Sequence, residues 1–92
     1  MPTKLTTPQI KAALASVPEW RKQGPNIVRT FVFQDFATAM KFVNAVARAA
    51  EKANHHPDID IRWNKVTLAL CTHSAGGLTE FDFALAGKID RL

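Results

Sequence analysis

Cys71 is the only cysteine in the chain. No intramolecular disulfide can form, which excludes a disulfide-stapled scaffold and points to a reducing, cytoplasmic setting. No stretch approaches the roughly 18 apolar residues of a membrane-spanning helix. The opening MPTKLTTPQI has no apolar run long enough for a secretory signal. Basic residues outnumber acidic ones by 12 to 8, for a net charge of +4. They are scattered from Lys4 to Arg91 without a run, whereas nucleic-acid binders gather charge on one stripe, so direct nucleic-acid binding is disfavoured. Internal repeats, low-complexity tracts and linkers are missing. There is no serine nucleophile elbow, and the AGG at 75–77 is a turn, because no phosphate-loop lysine follows it.

The apolar fraction is ample by contrast, at 47% of 92 residues. That suffices for one core and one domain, 1–92, near the lower end of what folds alone. TTPQIKAALASVPEW reads as a helix capped by Thr7, with Pro8 in its first turn and Pro18 as its stop. Ile10 and Leu14 give it an apolar face. GPN at 24–26 is a turn. IVRTFVF at 27–33 is a strand by its β-branched and aromatic content, and the piece around Trp20 is a candidate to pair with it.

A long amphipathic helix follows, capped by Asp35. Phe36, Ala39, Met40, Val43, Val46, Ala47 and Ala50 recur at helical spacing. A second flank carries Phe42, Ala45, Ala49 and Ala53. The wide arc reflects either alanine's helix preference or a face that meets another subunit. Past Pro57, Ile59, Ile61 and Trp63 alternate with polar residues, as do Val66, Leu68 and Leu70 after them. The two runs form a hairpin with its turn expected at Asn64–Lys65. SAGG is a turn. Thr79 and Asp82 have the spacing of a capping box, with Leu78 and Phe83 as a hydrophobic staple. The predicted fold is α+β: an antiparallel sheet with helices packed on one face.

All three histidines lie in ANHHPDIDIRWNKVTLALCTH, residues 53–73. Pro57 forces its predecessor out of the helical region, so the long helix is expected to end near Asn54 or His55, with Asn54 a plausible left-handed terminator. His55 and His56 then sit where a helix C-terminus meets a strand. Helix carbonyls favour an imidazolium there. Glu51, four residues before His55, is expected to face that ring if the last turn holds. Both effects favour a protonated ring, as a general acid needs. With the turn at Asn64–Lys65, antiparallel pairing sets His73 opposite His56 and gathers the rings at one end of the sheet.

Three imidazoles are also a possible catalytic zinc set. Against that, adjacent histidines in an extended chain point to opposite faces, and the i, i+4 pair of helical zinc motifs is missing. Any one of these histidines taken alone could equally be structural or solvated. Cys71 reads as a small core residue.

The residues E-x-x-N-H-H-P-D (51–58), W-N-K-V (63–66), L-C-T-H (70–73) and G-L-T-E-F-D (77–82) resemble the pterin-4a-carbinolamine dehydratase family. F-x-D-F-x-x-A-x-x-F-x-x-x-V-A (33–47) and the early Trp20 fit as well. Phe81 stands where that family often has a polar residue. The resemblance implies a four-stranded antiparallel sheet backed by helices, in a homodimer or homotetramer. It also implies removal of water from 4a-hydroxytetrahydropterin to give quinonoid dihydropterin, in the recycling of the pterin used by aromatic amino-acid hydroxylases. His55, His56 and His73 would be its active-site imidazoles. His55 and His73 would move protons and His56 would hold the pterin. Glu51 and Asp82 match acidic positions near the pocket, with Asp82 also open to a purely structural role as the third residue of the last helix. Neither metal nor cofactor is required, because only protons move. The alternative on the same fold is a protein-binding module, a transcriptional coactivator or an assembly factor.

Overall fold

Thr6, Pro8 and Gln9 decide where the first helix begins. In the computed structural model, which describes residues 3–92, the cap is Thr6 and not Thr7. The Thr6 side chain accepts from the Gln9 N–H, and the Gln9 side chain accepts from the Thr6 N–H. This reciprocal capping box was legible as Thr-x-x-Gln. Helix α1 spans Thr7–Leu14 and ends well before Pro18. Ala15, Ser16 and Val17 continue as tight turns, each N–H bonding three residues back. The Ser16 hydroxyl takes the Ala13 carbonyl at 2.7 Å, a local bond that competes with the helical ladder.

Strand β1 (Arg21–Gln23) pairs antiparallel with β2 (Asn26–Val32) across the Gly24–Pro25 turn. Helix α2 (Phe36–Ala53) follows, then β3 (Asp58–Arg62), β4 (Lys65–Leu70), a single 3-10 turn at His73–Ala75, and α3 (Glu80–Asp90). The sheet order is β1-β2-β4-β3 with antiparallel neighbours throughout. The α+β architecture is therefore the one read from the sequence. Among the described residues, no helix is long and apolar enough to cross a membrane.

Ile27 of β2 and Val66, Leu68 and Leu70 of β4 point to one side. There they are buried with Ile10, with Ala39, Val43, Val46 and Ala50 of α2, and with Phe83, Leu85, Ala86 and Ile89 of α3. Each of the valines, leucines, isoleucines and Phe83 among them contributes about 1.5–3 kcal/mol relative to exposure. The buried arc of α2 is narrower than its apolar pattern. Ala47 and Phe36, expected on the core face, are exposed. Phe42 of the second flank leans on Phe31 and Phe33, with ring centroids 4.6 and 5.0 Å away. Much of the wide arc is thus used inside the protomer. Trp20, buried behind β1, donates its indole N–H to Asp90 at 2.8 Å. Arg29 meets the same carboxylate oxygen at 2.8 Å, tying the end of α3 to the sheet.

The β3–β4 hairpin turns at Trp63–Asn64, not at Asn64–Lys65, because Arg62 pairs with Lys65. Asn64 decides this. Its side chain donates to the Phe33 carbonyl and its own carbonyl accepts from the Phe33 N–H, both at 2.9 Å. Trp63 is left at φ +54, a left-handed conformation that costs a bulky residue about 1–3 kcal/mol. The ladder ends at Asp58–Ala69. His73 therefore does not lie opposite His56. It sits on the 3-10 turn that follows β4.

Candidate functional site

The end of α2 builds the first part of the site. Asn54 adopts φ +51, so its N–H returns to the Glu51 carbonyl and the His55 N–H to the Ala50 carbonyl. This paired closure is a Schellman motif. It terminates the helix as expected, but it also carries His55 off the helical spiral. The expected Glu51–His55 pair is consequently not made. His56 faces Glu51 instead, Nε2 to Oε2 at 2.5 Å, with both side chains more than half exposed. His55 turns inward and meets Asp82, Nε2 to Oδ1 at 2.6 Å. The side chain of His55 is 13% exposed and that of Asp82 is 0%.

Asp82 reaches His55 because α3 is capped in a particular way. Thr79 is the cap, and the Asp82 carboxylate accepts from the Thr79 N–H at 2.9 Å. The capping box read from the sequence is present. Leu78 and Phe83, which flank it, are both buried. The same carboxylate oxygen accepts from the Thr72 hydroxyl at 2.8 Å, and the Thr72 and Thr79 hydroxyls are 2.7 Å apart. Asp82 therefore serves as a structural cap and as the partner of His55 at once, through different oxygens. Nothing in the spacing of the sequence singled out Thr72. It was visible only inside the L-C-T-H segment (70–73), as a polar residue where the apolar alternation of β4 ends.

Thr72 also places the third histidine. It leaves the ladder to bridge Gly77, closing the loop that holds the His73–Ala75 turn. Gly76 sits at φ +73 and returns its N–H to the His73 carbonyl, a conformation that glycine adopts without penalty. His73 is exposed on this turn, one residue from Thr72. His55 and the His73 turn are thus linked through Asp82 and Thr72, not through the strand register. Phe81 borders the same place. It lies edge-on to the His55 ring, centroids 6.2 Å apart at 62°, and is 48% exposed.

The arrangement is suited to proton transfer. A buried carboxylate holds one ring of a histidine pair, a second carboxylate holds the other, and a third imidazole stands on the adjoining turn. Among the described residues, no three His, Cys, Asp or Glu side chains are grouped to hold one metal ion. Burial pushes the Cys71 thiol above its usual range, with the charges of Asp82 and Asp58 adding to the effect. That disfavours the thiolate a cysteine nucleophile needs. A separate cavity of about 230 Å³, lined in part by Lys4, Ile10, Lys22, Pro25 and Gly77, contains no imidazole and no carboxylate. It offers no acid–base pair, so the histidine cluster is the better candidate.

Known proteins share this frame. A protein of Acidobacterium capsulatum, provisionally named a pterin-4-alpha-carbinolamine dehydratase, is 57% identical over 89 residues, 97% of each chain. A crystal structure from Brucella melitensis, described as a transcriptional coactivator/pterin dehydratase, superposes with a TM-score of 0.92 at 37% identity, covering 97% of both chains. A pterin dehydratase-like protein described as a RuBisCO assembly factor of the alpha-carboxysome matches at TM-score 0.68 and 29% identity, over 79% of this chain and 87% of that one. Residues 3–92 match the family model for pterin 4 alpha carbinolamine dehydratase. With the family model matching residues 3–92 and relatives more than half identical over nearly the whole chain, the chain belongs to the pterin 4 alpha carbinolamine dehydratase family.

Proposed function

We propose that this chain removes water from a 4a-hydroxytetrahydropterin to give quinonoid dihydropterin, as a step of tetrahydrobiopterin recycling after an aromatic amino-acid hydroxylase. The observation that carries the reading is the His55–Asp82 pair, an imidazole anchored by a fully buried carboxylate beside two further histidines. Dehydration breaks the C4a–O bond. The departing hydroxyl must receive a proton, and a ring nitrogen must release one as the C=N bond forms. A positioned acid and base typically accelerate such steps by about 10²–10⁴-fold. His55 and His73 fill these roles, and His56, paired with the exposed Glu51, holds the pterin. The aromatic edge of Phe81 suits a flat heterocycle.

The direct test is a carbinolamine dehydration assay on the purified chain, run before and after exhaustive chelation. Turnover should be present and should survive chelation, because every step is a proton transfer. Stoichiometric zinc whose removal abolishes turnover would refute the metal-free chemistry.

The functional unit in this reading is a homodimer or homotetramer. Support comes from β3, an unpaired sheet edge on which Ile59 and Ile61 are 38% and 36% exposed, with Trp63 in the adjoining turn 67% exposed. Exposed apolar edges invite strand pairing. The second flank of α2 is a weaker candidate than its sequence implied, since Phe42 is already packed on β2. Light scattering should give a multiple of the 10.2 kDa protomer, and Ile61→Lys should shift it towards the monomer. A wild-type monomer at micromolar concentration would contradict the assembly. The same exposed edge also favours the second reading, a protein-binding module on this fold. That reading would gain if dehydration were absent while β3 captured a heterologous partner.

A further inference from the structure

Asp82 has three hydrogen-bond contacts, and all of them are donors to it. Thr72 Oγ1 and the Thr79 N–H meet Oδ2, and His55 Nε2 meets Oδ1. Thr72 has a single hydroxyl hydrogen, and the carboxylate takes it. The remaining 2.7 Å contact between the two hydroxyls is then made by the Thr79 hydrogen. Thr79 Oγ1 in turn accepts from the Phe81 N–H at 3.2 Å. The hydrogens run in one direction, from the first turn of α3 through Thr79 and Thr72 into Asp82. Thr72 is 5% exposed, and Thr79 and Asp82 are 0% exposed, so the chain is enclosed by protein.

This ordering has a consequence at the other oxygen. An ionised carboxylate only accepts, so the proton between Oδ1 and His55 belongs to Nε2. A neutral imidazole carrying its hydrogen on Nε2 has its lone pair on Nδ1. Nδ1 makes no hydrogen bond to the described residues, yet no buried side-chain nitrogen or oxygen among them lacks a partner. The unpaired Nδ1 is therefore not sealed off by the protein, on a side chain that is 13% exposed.

We propose that Thr72 and Thr79 are positioning residues that lock His55 in its Nε2–H form, making Nδ1 the atom that exchanges a proton with the substrate. The proposal deepens the dehydratase reading and rests on it for the identity of that substrate. The tautomer itself is independent of any activity, so the two can fail separately.

The test is nitrogen-15 nuclear magnetic resonance of the histidine rings together with steady-state kinetics. In the wild type, the neutral His55 ring should show a protonated Nε2 and an unprotonated Nδ1. Thr72→Val keeps the shape and deletes the hydroxyl, so Asp82 loses a donor and Thr79 loses its acceptor. Held by one donor fewer, the carboxylate is free to rotate and its contact with Nε2 loosens, so a mixed tautomer signal is expected, with kcat falling by about tenfold, the scale of one hydrogen bond to a charged group, and KM little changed. Thr72→Ser should restore both. A wild-type ring protonated on Nδ1 would overturn the proposal, even if the valine variant failed to fold. So would a folded Thr72→Val with wild-type spectrum and kcat, or a Thr72→Ser as impaired as Thr72→Val. A wild type that shows the Nε2–H ring but no dehydration would refute the proposed reaction and leave the assignment of the proton standing.

Discussion

Asp82→Asn should lower kcat by about 10²–10⁴-fold, the scale on which an amide substituted for the carboxylate of a histidine dyad disables it. Two donors, the Thr72 hydroxyl and the Thr79 N–H, converge on one oxygen of Asp82. The asparagine carbonyl must occupy that place to satisfy them. Its NH₂ group then faces Nε2 of His55, which can only accept from it. The ring hydrogen moves to Nδ1, and the lone pair that should meet the substrate is gone. The cap of α3 survives, so thermal unfolding should still be cooperative, with a loss of about 1–2 kcal/mol from replacing charged hydrogen bonds by neutral ones. Asp82→Ala should be far worse for the fold, since it deletes the cap and leaves the buried Thr79 N–H and the His55 ring without their acceptor. Kinetics and melting curves on the two variants separate these effects. An asparagine variant within tenfold of wild-type turnover would show that the His55–Asp82 pair is structural only.

His55→Ala is expected to lose about 10²–10⁴-fold in turnover, the usual contribution of a positioned acid or base. It also leaves Oδ1 of the fully buried Asp82 without its partner, at a cost of about 1–3 kcal/mol. Out of a total stability of about 5–15 kcal/mol, the protein should remain folded with a lower melting temperature. His55→Gln supplies an N–H to Asp82 but cannot transfer a proton. It should recover stability and not activity, which separates the two roles of the ring. His56→Ala makes the contrast. Its bond to Glu51 is solvent-exposed, and such pairs are worth about 0–1 kcal/mol. Stability should hardly move, and the effect should fall on KM. Equal losses in kcat for His55→Ala and His56→Ala would contradict this division of labour.

How much of this was legible beforehand follows the range of the interactions. Capping is local. Asp35 before α2, Asn54 after it and the Thr79–Asp82 box before α3 could each be read within a few residues, and each is found in the structure. Strand alternation is local too, so β3 and β4 were evident, and with them the buried face of β4, whereas the apolar residues of β3 stay exposed at the sheet edge. Register was less secure. One residue of error in the turn, Trp63–Asn64 in place of Asn64–Lys65, displaced His73 by two pairing positions. Only the Asn64–Phe33 clamp, 31 residues apart in sequence, fixes that turn.

The partners of the histidines lay beyond any local rule. Helical spacing favoured Glu51 with His55, but that rule holds only while the helix continues. Asn54 ends it one residue too early, and the left-handed turn hands Glu51 to His56. The carboxylate that His55 does meet is 27 residues away and comes within reach only when α3 packs on α2. Thr72 became part of the site for the same reason, because the bridge to Gly77 folds the end of β4 against the cap of α3. The elements, most of the caps and the gathering of the imidazoles in one segment could be read along the chain, since backbone propensity and side-chain periodicity act over a turn or a strand. Tertiary structure alone decided which carboxylate holds which ring, because a buried carboxylate takes the donors that packing brings to it.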